Sequence, residues 1–306
     1  MTELVCVGLA TLDILVRPVS GIPADGTTAL VDDIALAPAG TAGGCAVVAS
    51  ALGLKTELVS ATGTDRNGQI LRNLFTEEGV GIRHLDAVPE MPTSTTVLLI
   101  QPDGERPNLH MMGASVMSAF SPASFETAKN ARFLHFGGVG FPRLTGPDTI
   151  GTLEAVRAAG TFITADLISP QPGMVDFLKA LLPHVDMFMP SFAEAEILLG
   201  TKDPAEAARA FVEMGAGGCI VKTGKHGSTG LIDGELVEVP AIPTEVVDTT
   251  SCGDSYCAGF ITGLARTGNA RAAMNYATVT ASFVAAGAGT KGALTGLQQV
   301  EARLTA

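Results

Sequence analysis

Short apolar runs rich in β-branched residues recur along the chain and alternate with amphipathic segments of helical length. The apolar runs are ELVCVGLA, TELVSATG, RFLHFGG, TFITADL, DMFMPS and CIVKTG, and the helical patterns include AVVASALG, QILRNLFTEEGV and DTIGTLEAVRAAG. Continuous apolar strands that alternate with helices are typical of a parallel sheet covered on both faces. The pattern therefore predicts an α/β fold that binds ligands where the carboxyl ends of strands meet helix N-termini.

Two stretches break this alternation and have the pattern of strands. They are TTALVDDIALAPAG and TSTTVLLIQPDGERPNLHMMG, and the second contains a Pro-Asp-Gly turn at 102–104 that is typical of a hairpin. We expect them to form a small β-sheet from about 11–40 and 91–112, inserted in a single α/β domain that spans 1–306. A further hairpin with an Asp-Gly turn, STGLIDGELVEVP, follows CIVKTG.

The composition indicates a globular protein with an acidic surface. Of 306 residues, 46% are hydrophobic and 16% are charged, and 19 basic against 31 acidic residues give a net charge of −12. This acidity argues against a nucleic-acid or anionic-membrane partner. A phosphate ligand would therefore have to be held by local groups.

The cysteines and one uncharged stretch bear on location. Five cysteines without a C-x-x-C pair, no secretory signal and no N-glycosylation sequon favour a reducing, cytoplasmic setting. The stretch at 272–290 carries no charge, but it consists mostly of Ala, Gly, Ser and Thr. Its apolarity is too weak for a membrane span, so we expect a buried, closely packed helix.

The stretch DTTSCGDSYCAGF at 248–260 places small residues directly before an acid and a potential helix. Uncovered backbone N–H groups and the positive end of a helix dipole form an anion site from the main chain alone. Asp254 would repel a phosphate as a ligand, so its chemical role there is that of a base for an attacking hydroxyl. From the spacing alone, a capping or charge-stabilising role at the helix start explains Asp254 equally well.

Other phosphate-binding motifs do not compete with this stretch. The only Gly-Lys pair, Gly224-Lys225, is followed by His226 and lacks the hydroxyl residue of a P-loop. HFGGVGFP follows an apolar run, but its glycines do not have the G-x-G-x-x-G spacing of a dinucleotide site.

DTTSCGDSYCAGF resembles the C-terminal signature of the ribokinase (PfkB) family of carbohydrate kinases, usually D-T-x-G-A-G-D. Both Asp positions, the first Thr and the second Gly of that signature match, while Ser251 and Cys252 replace the first Gly and the Ala. The resemblance implies that Asp254 is the catalytic base and that the backbone of Ser251, Cys252 and Gly253 forms the anion hole. Because amides build the hole, we expect the two replacements to be tolerated with their side chains pointing away from it.

Two expectations concern ionisation in this turn. Asp254 needs no raised pKa, because a loose transition state develops its charge on phosphoryl oxygens before the hydroxyl proton leaves. The Cys252 thiol, at a helix N-terminus, is either an easily ionised group or an inert small side chain.

The N-terminal third carries a second likeness. APAGTAGGCAVVASALG at 37–53 is similar to the family's glycine-rich signature, which opens a helix. The resemblance implies substrate contacts at Gly40, Thr41 and Gly44, although members usually have at position 44 an Asn that helps to bind the substrate. GLATLD matches the family's first strand, which ends in an Asp, so Asp13 is implied to bind sugar hydroxyls; a turn or cap role is the alternative.

The segment PSFAEAEILLG supports two interpretations. Ser191 and Glu194 have the spacing of a capping box at a helix start, which needs no ligand. The family has N-x-x-E here, and the resemblance implies that Glu194 helps to hold Mg²⁺, usually through water. Both roles are compatible.

The likeness also implies a nucleotide site. IVKTGKHG resembles the family segment that contacts ATP, with Thr223, Gly224 and Gly227 as the candidates, and Thr278 lies near a frequent nucleotide contact. Asp248 and Thr250 resemble positions around the monovalent-cation (K⁺) site of many members.

Together these residues imply a ribokinase-like three-layer α/β/α fold with a mostly parallel central sheet and a small β-sheet lid. The implied function is an ATP- and Mg²⁺-dependent kinase that transfers the γ-phosphoryl group to a hydroxyl of a small sugar beneath the lid. A nucleoside kinase of the same fold and a catalytically silent nucleotide- or sugar-binding regulator remain alternatives. The lid strands contain no aromatic residue, which favours sugars. Their exposed edges favour a homodimer.

Overall fold

The computed structural model describes residues 1–168, 170–171 and 173–305. Within these ranges the chain forms thirteen strands and ten α-helices. In chain order they are β1 Leu4–Gly8, β2 Thr11–Arg17, β3 Asp33–Ala39, α1 Thr41–Ala51, β4 Thr56–Thr62, α2 Arg66–Glu77, β5 Gly81–Ala87, β6 Thr95–Leu99, β7 Asn108–Met111, α3 Pro122–Lys129, β8 Phe133–Val139, α4 Pro147–Ala158, β9 Phe162–Leu167, α5 Met174–Leu181, β10 Met187–Phe188, α6 Phe192–Leu199, α7 Pro204–Glu213, β11 Cys219–Lys222, β12 Ser228–Ile232, β13 Glu235–Val239, α8 Cys252–Thr267, α9 Ala270–Ala285 and α10 Leu297–Leu304.

The larger sheet has nine strands in the order β13-β12-β11-β10-β9-β8-β1-β4-β5. Its strands from β11 to β5 pair in parallel, and the β12–β13 hairpin adds two antiparallel strands at one edge. All six apolar runs named above form parallel strands of this sheet, which confirms the predicted α/β class. The opposite edge strand, β5, was not predicted, because much of it is exposed and its apolar pattern is weak.

Helices cover both faces of this sheet. Alternate residues of β1 enter different cores: Leu4 packs with residues of α1, α8 and α9, whereas Val5 packs with residues of α3, α4, α5 and α7. Successive side chains of a strand point to opposite faces, so a strand buried on both sides has no polar alternation. The result is the three-layer α/β/α arrangement that the resemblance implies.

The smaller sheet, here called the lid sheet, has four strands in the order β3-β2-β6-β7. Its strands come from the two segments that break the helical alternation. The sequence analysis expected Asp13 to end the first strand. Asp13 instead lies within β2 of the lid sheet. The chain leaves the larger sheet after Gly8, where the carbonyl of Leu9 accepts hydrogen bonds from the amides of Ala42 and Gly43 at the start of α1.

The uncharged stretch near the C-terminus forms most of α9, which packs closely on α8. A Cβ atom on Gly259 of α8 would lie 2.8 Å from the Cα of Ala277, so only glycine permits this helix spacing. The predicted closely packed helix is therefore confirmed. No helix in the described part of the chain combines the length and apolarity that a membrane crossing requires.

Candidate active site

A buried ion pair marks the carboxyl-terminal edge of the larger sheet. Asp166 lies near the end of β9 and Lys222 ends β11, and the lysine Nζ is 2.6 Å from an Asp166 Oδ atom. The Lys222 side chain is only 11% exposed, and the Asp166 side chain is only 5% exposed. The Lys222 Nζ also lies 3.4 Å from the point where a Cβ on Gly253 would be. A fixed cation therefore stands beside the small-residue turn.

The small-residue turn leads directly into a helix. Ser251 has φ 53° and precedes the first residue of α8, Cys252, so Asp254 lies in the first helical turn. The N-cap residue is Ser251, so capping does not account for Asp254. Burial and the nearby Asp166 carboxylate raise the pKa of Asp254 to about 7, while Lys222, the Ser251 hydroxyl and Arg106 oppose the rise. A carboxyl with this pKa exchanges protons near neutral pH.

Two details of this turn differ from the sequence-based expectations. Burial raises the pKa of the Cys252 thiol to about 12, so the interpretation as an easily ionised thiol is wrong. The Ser251 hydroxyl does not point away from the site, because its oxygen and the Asp254 Oδ2 atom lie 3.0 and 2.8 Å from the same point, where a Cβ on Gly44 would be. The positive φ of Ser251 turns its side chain towards α1, where Gly44 leaves space.

Glu194 lies beside the same cluster. Its Oε2 atom accepts hydrogen bonds from the amide and hydroxyl of Ser191 at 2.8 and 2.7 Å, and the Ser191 hydroxyl accepts from the Glu194 amide at 3.3 Å. The predicted capping box is thus present. Burial and the charge of Asp166 raise the pKa of Glu194, so the two carboxyl groups are close enough to interact.

The donor set at this edge fits Mg²⁺ held with water and phosphate. Asp166 and Glu194 offer carboxylate oxygens, and the charge of Asp166 adds to the effect of burial in raising the pKa values of Glu194 and Asp254. Among the residues described, no group of three or more His, Cys, Asp or Glu side chains is arranged to enclose a metal. Mg²⁺ usually uses one or two carboxylates, several waters and the phosphates of its nucleotide.

The predicted nucleotide residues line two adjoining cavities. Gly224, Gly227 and Thr278 face a cavity of about 490 Å³ that Cys252 and Gly253 of the turn also line. Thr223 faces a neighbouring cavity of about 810 Å³, together with Ser191. Lys222 borders both cavities. The structure thus brings these four predicted residues to the two sides of the Lys222–Asp166 pair.

Asp13 lies on the face of the lid sheet that is turned towards the crevice. It is buried, accepts a hydrogen bond from the Thr11 hydroxyl at 3.0 Å and pairs across the sheet with Thr96, which pairs with His110. Burial raises the pKa of Asp13 to about 6, and Arg106 and Asp248 are near enough to influence it. These side chains form a polar row across β2, β6 and β7.

The glycine-rich segment contributes backbone and space. Gly40 is the N-cap residue of α1, and the Thr41 hydroxyl donates a hydrogen bond to the carbonyl of Gly137. Gly44, one turn into α1, faces the Asp254 carboxyl directly. Thr41 is therefore tied to the neighbouring strand β8, while Gly44 borders the predicted base.

Arg106, in the loop that joins β6 and β7, connects the lid sheet with the turn. Its Nε and a terminal nitrogen lie 2.9 and 3.2 Å from the side-chain and carbonyl oxygens of Thr249, and its Nε is 3.9 Å from Asp248. Asp248 accepts hydrogen bonds from the Thr250 amide and hydroxyl at 2.8 and 2.6 Å and from the Gly289 amide at 2.9 Å. Asp248 thereby fixes the loop that precedes the turn.

Sequence reasoning missed Asp166 and Lys222, and it did not place Arg106 in the crevice. A usable signal existed for the first two, because each charged residue ends an otherwise apolar strand run, FITAD and CIVK. A charge at the carboxyl end of a buried parallel strand is placed at the ligand-binding edge. Arg106 had no comparable signal, because its position depends on how the hairpin folds back over the crevice.

Comparisons with known proteins give the family. The model of the pfkB family carbohydrate kinases matches residues 1–295. A nucleoside kinase of Methanothermobacter thermautotrophicus is 26% identical over 306 aligned positions, with 94% of this chain and 91% of the relative covered. A ribokinase of Arabidopsis thaliana is 27% identical over 299 positions, with 92% of this chain and 75% of the relative covered.

Solved structures agree with the fold. The structure of Arabidopsis thaliana ribokinase complexed with ribose and ATP superposes with a TM-score of 0.82 at 25% identity and full coverage of both chains. An E. coli protein classed as ribokinase II, in complex with ATP and Mg²⁺, gives 0.84 at 22% identity and covers 100% of this chain and 99% of its own. Because the family model spans nearly the whole chain and the fold agrees, this protein belongs to the PfkB family of carbohydrate kinases.

Proposed function

We propose that the protein transfers the γ-phosphoryl group of ATP to a hydroxyl of a small sugar, with Asp254 as the general base. The observation that carries the proposal is the position of the Asp254 carboxyl in the first turn of α8, beside the main-chain amides of Ser251, Cys252 and Gly253. Its raised pKa, about 7, suits a group that must take a proton at neutral pH.

The proposed reaction has one proton transfer and one phosphoryl transfer. The Asp254 carboxylate accepts the proton of the acceptor hydroxyl as its oxygen attacks the γ-phosphorus, and ADP leaves on the opposite side. Main-chain amides of the turn stabilise the charge on the transferring oxygens. Lys222, which is charged because the Asp166 carboxylate raises its pKa against the effect of burial, adds a positive charge beside Gly253.

The proposed ATP site is the 490 Å³ cavity, with contacts from Gly224, Gly227 and Thr278 and from Thr223 at its border. Asp166 and Glu194 would hold Mg²⁺, which neutralises phosphate charge when bound. The relatives solved with ATP, and with ATP and Mg²⁺, support the choice of these two ligands.

The proposed sugar site lies between the lid sheet and α8. Asp13 would bind sugar hydroxyls, and Gly40, Thr41 and Gly44 would border the sugar. Closing the lid sheet over the crevice would exclude water, which competes with the sugar as a phosphoryl acceptor. The Arg106 contact with Thr249 supports this, because it already links the lid sheet with the turn.

A nucleoside is the second candidate acceptor, because the Methanothermobacter thermautotrophicus relative is a nucleoside kinase. Aromatic side chains commonly stack on a base. The lid strands β2, β3, β6 and β7 have none. This difference favours a sugar.

The monovalent-cation contacts implied for Asp248 and Thr250 stay a prediction. Three protein donors already satisfy the Asp248 carboxylate. We expect K⁺, if it binds, to use the remaining carbonyl oxygens of this loop. Comparing initial rates in potassium, sodium and tetramethylammonium chloride at equal ionic strength tests the prediction, and equal rates in all three would exclude activation.

A homodimer formed through the lid sheet is also proposed. The outward face of the lid sheet is apolar. One cross-strand row on it consists of Leu36, Ile14, Val97 and Leu109, of which Leu36 and Leu109 are exposed. Covering this face removes apolar surface from water. Light scattering after size-exclusion chromatography should give twice the chain mass for the unchanged protein and the chain mass for Leu109→Glu. A monomeric unchanged protein would contradict the proposal.

The experiment for the proposed function is a coupled assay of ADP formation. The panel contains ATP and Mg²⁺ with monosaccharides, sugar phosphates and nucleosides, and each rate is compared with the rate without an acceptor. We expect the fastest acceptor to be a monosaccharide. A nucleoside as the fastest acceptor would favour the second candidate, and no acceptor-dependent ADP formation would contradict both.

A further inference from the structure

Three groups meet where α1 passes the start of α8. A Cβ atom added to Gly44 would lie 2.8 Å from the Oδ2 atom of Asp254 and 3.0 Å from the Oγ atom of Ser251. Real Cβ atoms do not approach other heavy atoms as closely as 2.8 Å, so the Asp254 and Ser251 side chains occupy the space that a larger residue at 44 would need. The absence of a side chain at Gly44 and the presence of one at Ser251 are therefore linked in space.

The same two positions depart from the family pattern in opposite directions. The family usually has Asn at position 44 and Gly at position 251, whereas this chain has Gly44 and Ser251. In this chain the polar side chain beside Asp254 comes from the turn before α8, and Gly44 of α1 contributes none there.

Ser251 keeps its side chain although the backbone there favours glycine. Its φ of 53° is in the left-handed region, which in the described residues only two other non-glycine residues, Asp25 and Asp233, share. A non-glycine residue in this region costs conformational energy. Asp25 and Asp233 lie in exposed turns, whereas the Ser251 hydroxyl lies beside the Asp254 carboxyl, on the side that faces Gly44. Strain that persists beside a reactive group points to a functional use of the side chain.

We propose that Ser251 is a positioning residue whose hydroxyl orients the Asp254 carboxylate. The absence of a side chain at Gly44 leaves the space that the Ser251 and Asp254 side chains need for this arrangement. This rests on the proposed function, in which Asp254 is the base. The hydroxyl donates to one carboxylate oxygen, which restricts rotation of the carboxylate and leaves its other oxygen for the acceptor hydroxyl. Donation to the ionised form also favours that form, in agreement with the direction of the Ser251 effect on the Asp254 pKa.

The first test compares Ser251→Gly and Ser251→Ala with the unchanged protein, using the fastest acceptor of the assay panel. We expect both variants to lose about 10- to 100-fold in kcat, because each lacks a hydrogen bond to a charged group. The acid limb of kcat/KM should move to higher pH in both variants. Thermal unfolding separates this role from a structural one: Ser251→Gly relieves the strain, so its Tm should rise by about 1–4 °C.

Asp233→Gly is the matched control, because Asp233 has φ 51° in the exposed turn between β12 and β13. It relieves the same kind of strain far from the site, so we expect a similar rise in Tm with kcat and the pH profile unchanged. A Ser251→Gly protein with unaltered kcat and pH profile would overturn the proposal, whatever its Tm.

The second test is a double-mutant cycle between positions 44 and 251. Gly44→Ala adds the conflicting Cβ, and we expect a loss of about 100-fold or more in kcat/KM. In the Ser251→Gly background one of its two conflicts is gone, so the additional loss should be at least about fivefold smaller. Equal losses in both backgrounds would show that the positions act independently and would overturn the coupling. If Gly44→Ala does not fold, the Ser251 variants still decide the role of the hydroxyl.

The outcomes also separate this inference from the proposed function. Failure of the unchanged protein to form ADP with any acceptor contradicts the proposed function, and the Asp254 role falls with it. An active protein whose Ser251 variants behave like the unchanged protein contradicts only the role of Ser251. An active protein that also tolerates loss of the Asp254 carboxylate contradicts the assignment of the base.

Discussion

Two aspartate–cation pairs lie at opposite ends of the parallel strands of the nine-stranded sheet. At the amino-terminal edge Arg157 and Asp186 are 2.9 Å apart, and at the carboxyl-terminal edge Lys222 and Asp166 are 2.6 Å apart. The first pair is open to solvent, with side chains 45% and 19% exposed, whereas the second is buried. Similar chemical groups at similar distances therefore experience different dielectric surroundings.

The partners of the two pairs explain the consequence of this difference. Asp186 also accepts a hydrogen bond from the Ile163 amide, and Arg157 also donates to the carbonyl of Pro183, so the first pair only links secondary-structure ends. Asp166 and Lys222 instead lie among further acids, and the pKa values of Glu194 and Asp254 are raised there. The amino-terminal pair stabilises the fold modestly, and the carboxyl-terminal pair sets the charge of a reaction site.

The largest expected effect comes from removing the carboxylate beside the buried pair. Asp254→Asn should lower kcat by about 10²–10⁴-fold with ATP affinity nearly unchanged, because only general-base assistance is lost. Steady-state kinetics and ATP titration calorimetry measure the two effects. Asp186→Asn at the other edge is the control and should change kcat less than about twofold. Equal kcat for both variants would remove the distinction between the edges.

Replacing the cation of each pair sharpens the comparison. Lys222→Met leaves Asp166 buried without its partner, so the free energy of unfolding should fall by about 3–5 kcal/mol. We expect kcat to fall by about 10–100-fold, because positive charge beside the transferring phosphoryl group is lost. The acid limb of kcat/KM should move to higher pH, because Lys222 lowers the pKa of Asp254.

Arg157→Met is the matched change at the exposed pair. It should alter the free energy of unfolding by less than about 1 kcal/mol, leaving kcat and the pH profile in place. Denaturant unfolding and a pH–rate series on the two variants decide the matter. Losses of similar size in both would mean that burial does not distinguish the pairs.

The pH dependence of catalysis should report the same cluster. A base whose pKa is about 7 in the free enzyme is protonated below that pH, so kcat/KM should be half-maximal near pH 7. It should then fall by about tenfold for each further unit of acidification. A profile that stays flat down to pH 5 would exclude Asp254 with this pKa as the required base. Buffers of constant ionic strength are needed, because salt screens the contributing charges.

The smallest expected effect is on stability. The pKa of Asp254 is raised from 3.8 to about 7 on folding, so the folded state binds an extra proton between these values and loses stability as pH rises through them. Asn carries no charge, so Asp254→Asn should be more stable than the unchanged protein at pH 8, by about 1–3 kcal/mol. The difference in stability should vanish below about pH 4, where the side chain at position 254 is neutral in both proteins. Urea unfolding at both pH values measures it, and a difference that does not depend on pH would contradict the linkage.

The sequence predicted the parallel strands because each is apolar on both faces. It made Asp254 the candidate base because the small-residue turn is a local feature, and this role stays a prediction. It did not predict the Lys222–Asp166 pair, since β9 and β11 become near neighbours only through the strand order. The expectation that the Ser251 side chain points away from the site was wrong for a similar reason. That direction depends on the φ of one residue and on a space left by Gly44, which lies more than 200 positions earlier.

The close contact between α8 and α9 has a consequence for how variants of this enzyme should be interpreted. Asp254 lies in the first turn of the helix whose middle is held against α9 at Gly259, where the nearest atoms belong to Ala277 and Thr280. A single methyl group added there would push the two helices apart and tilt the far end that bears the acid. A substitution at Gly259 that lowers turnover would therefore act by displacing Asp254 through the rigid helix α8. A mutational survey restricted to residues that line the crevice would not include this position.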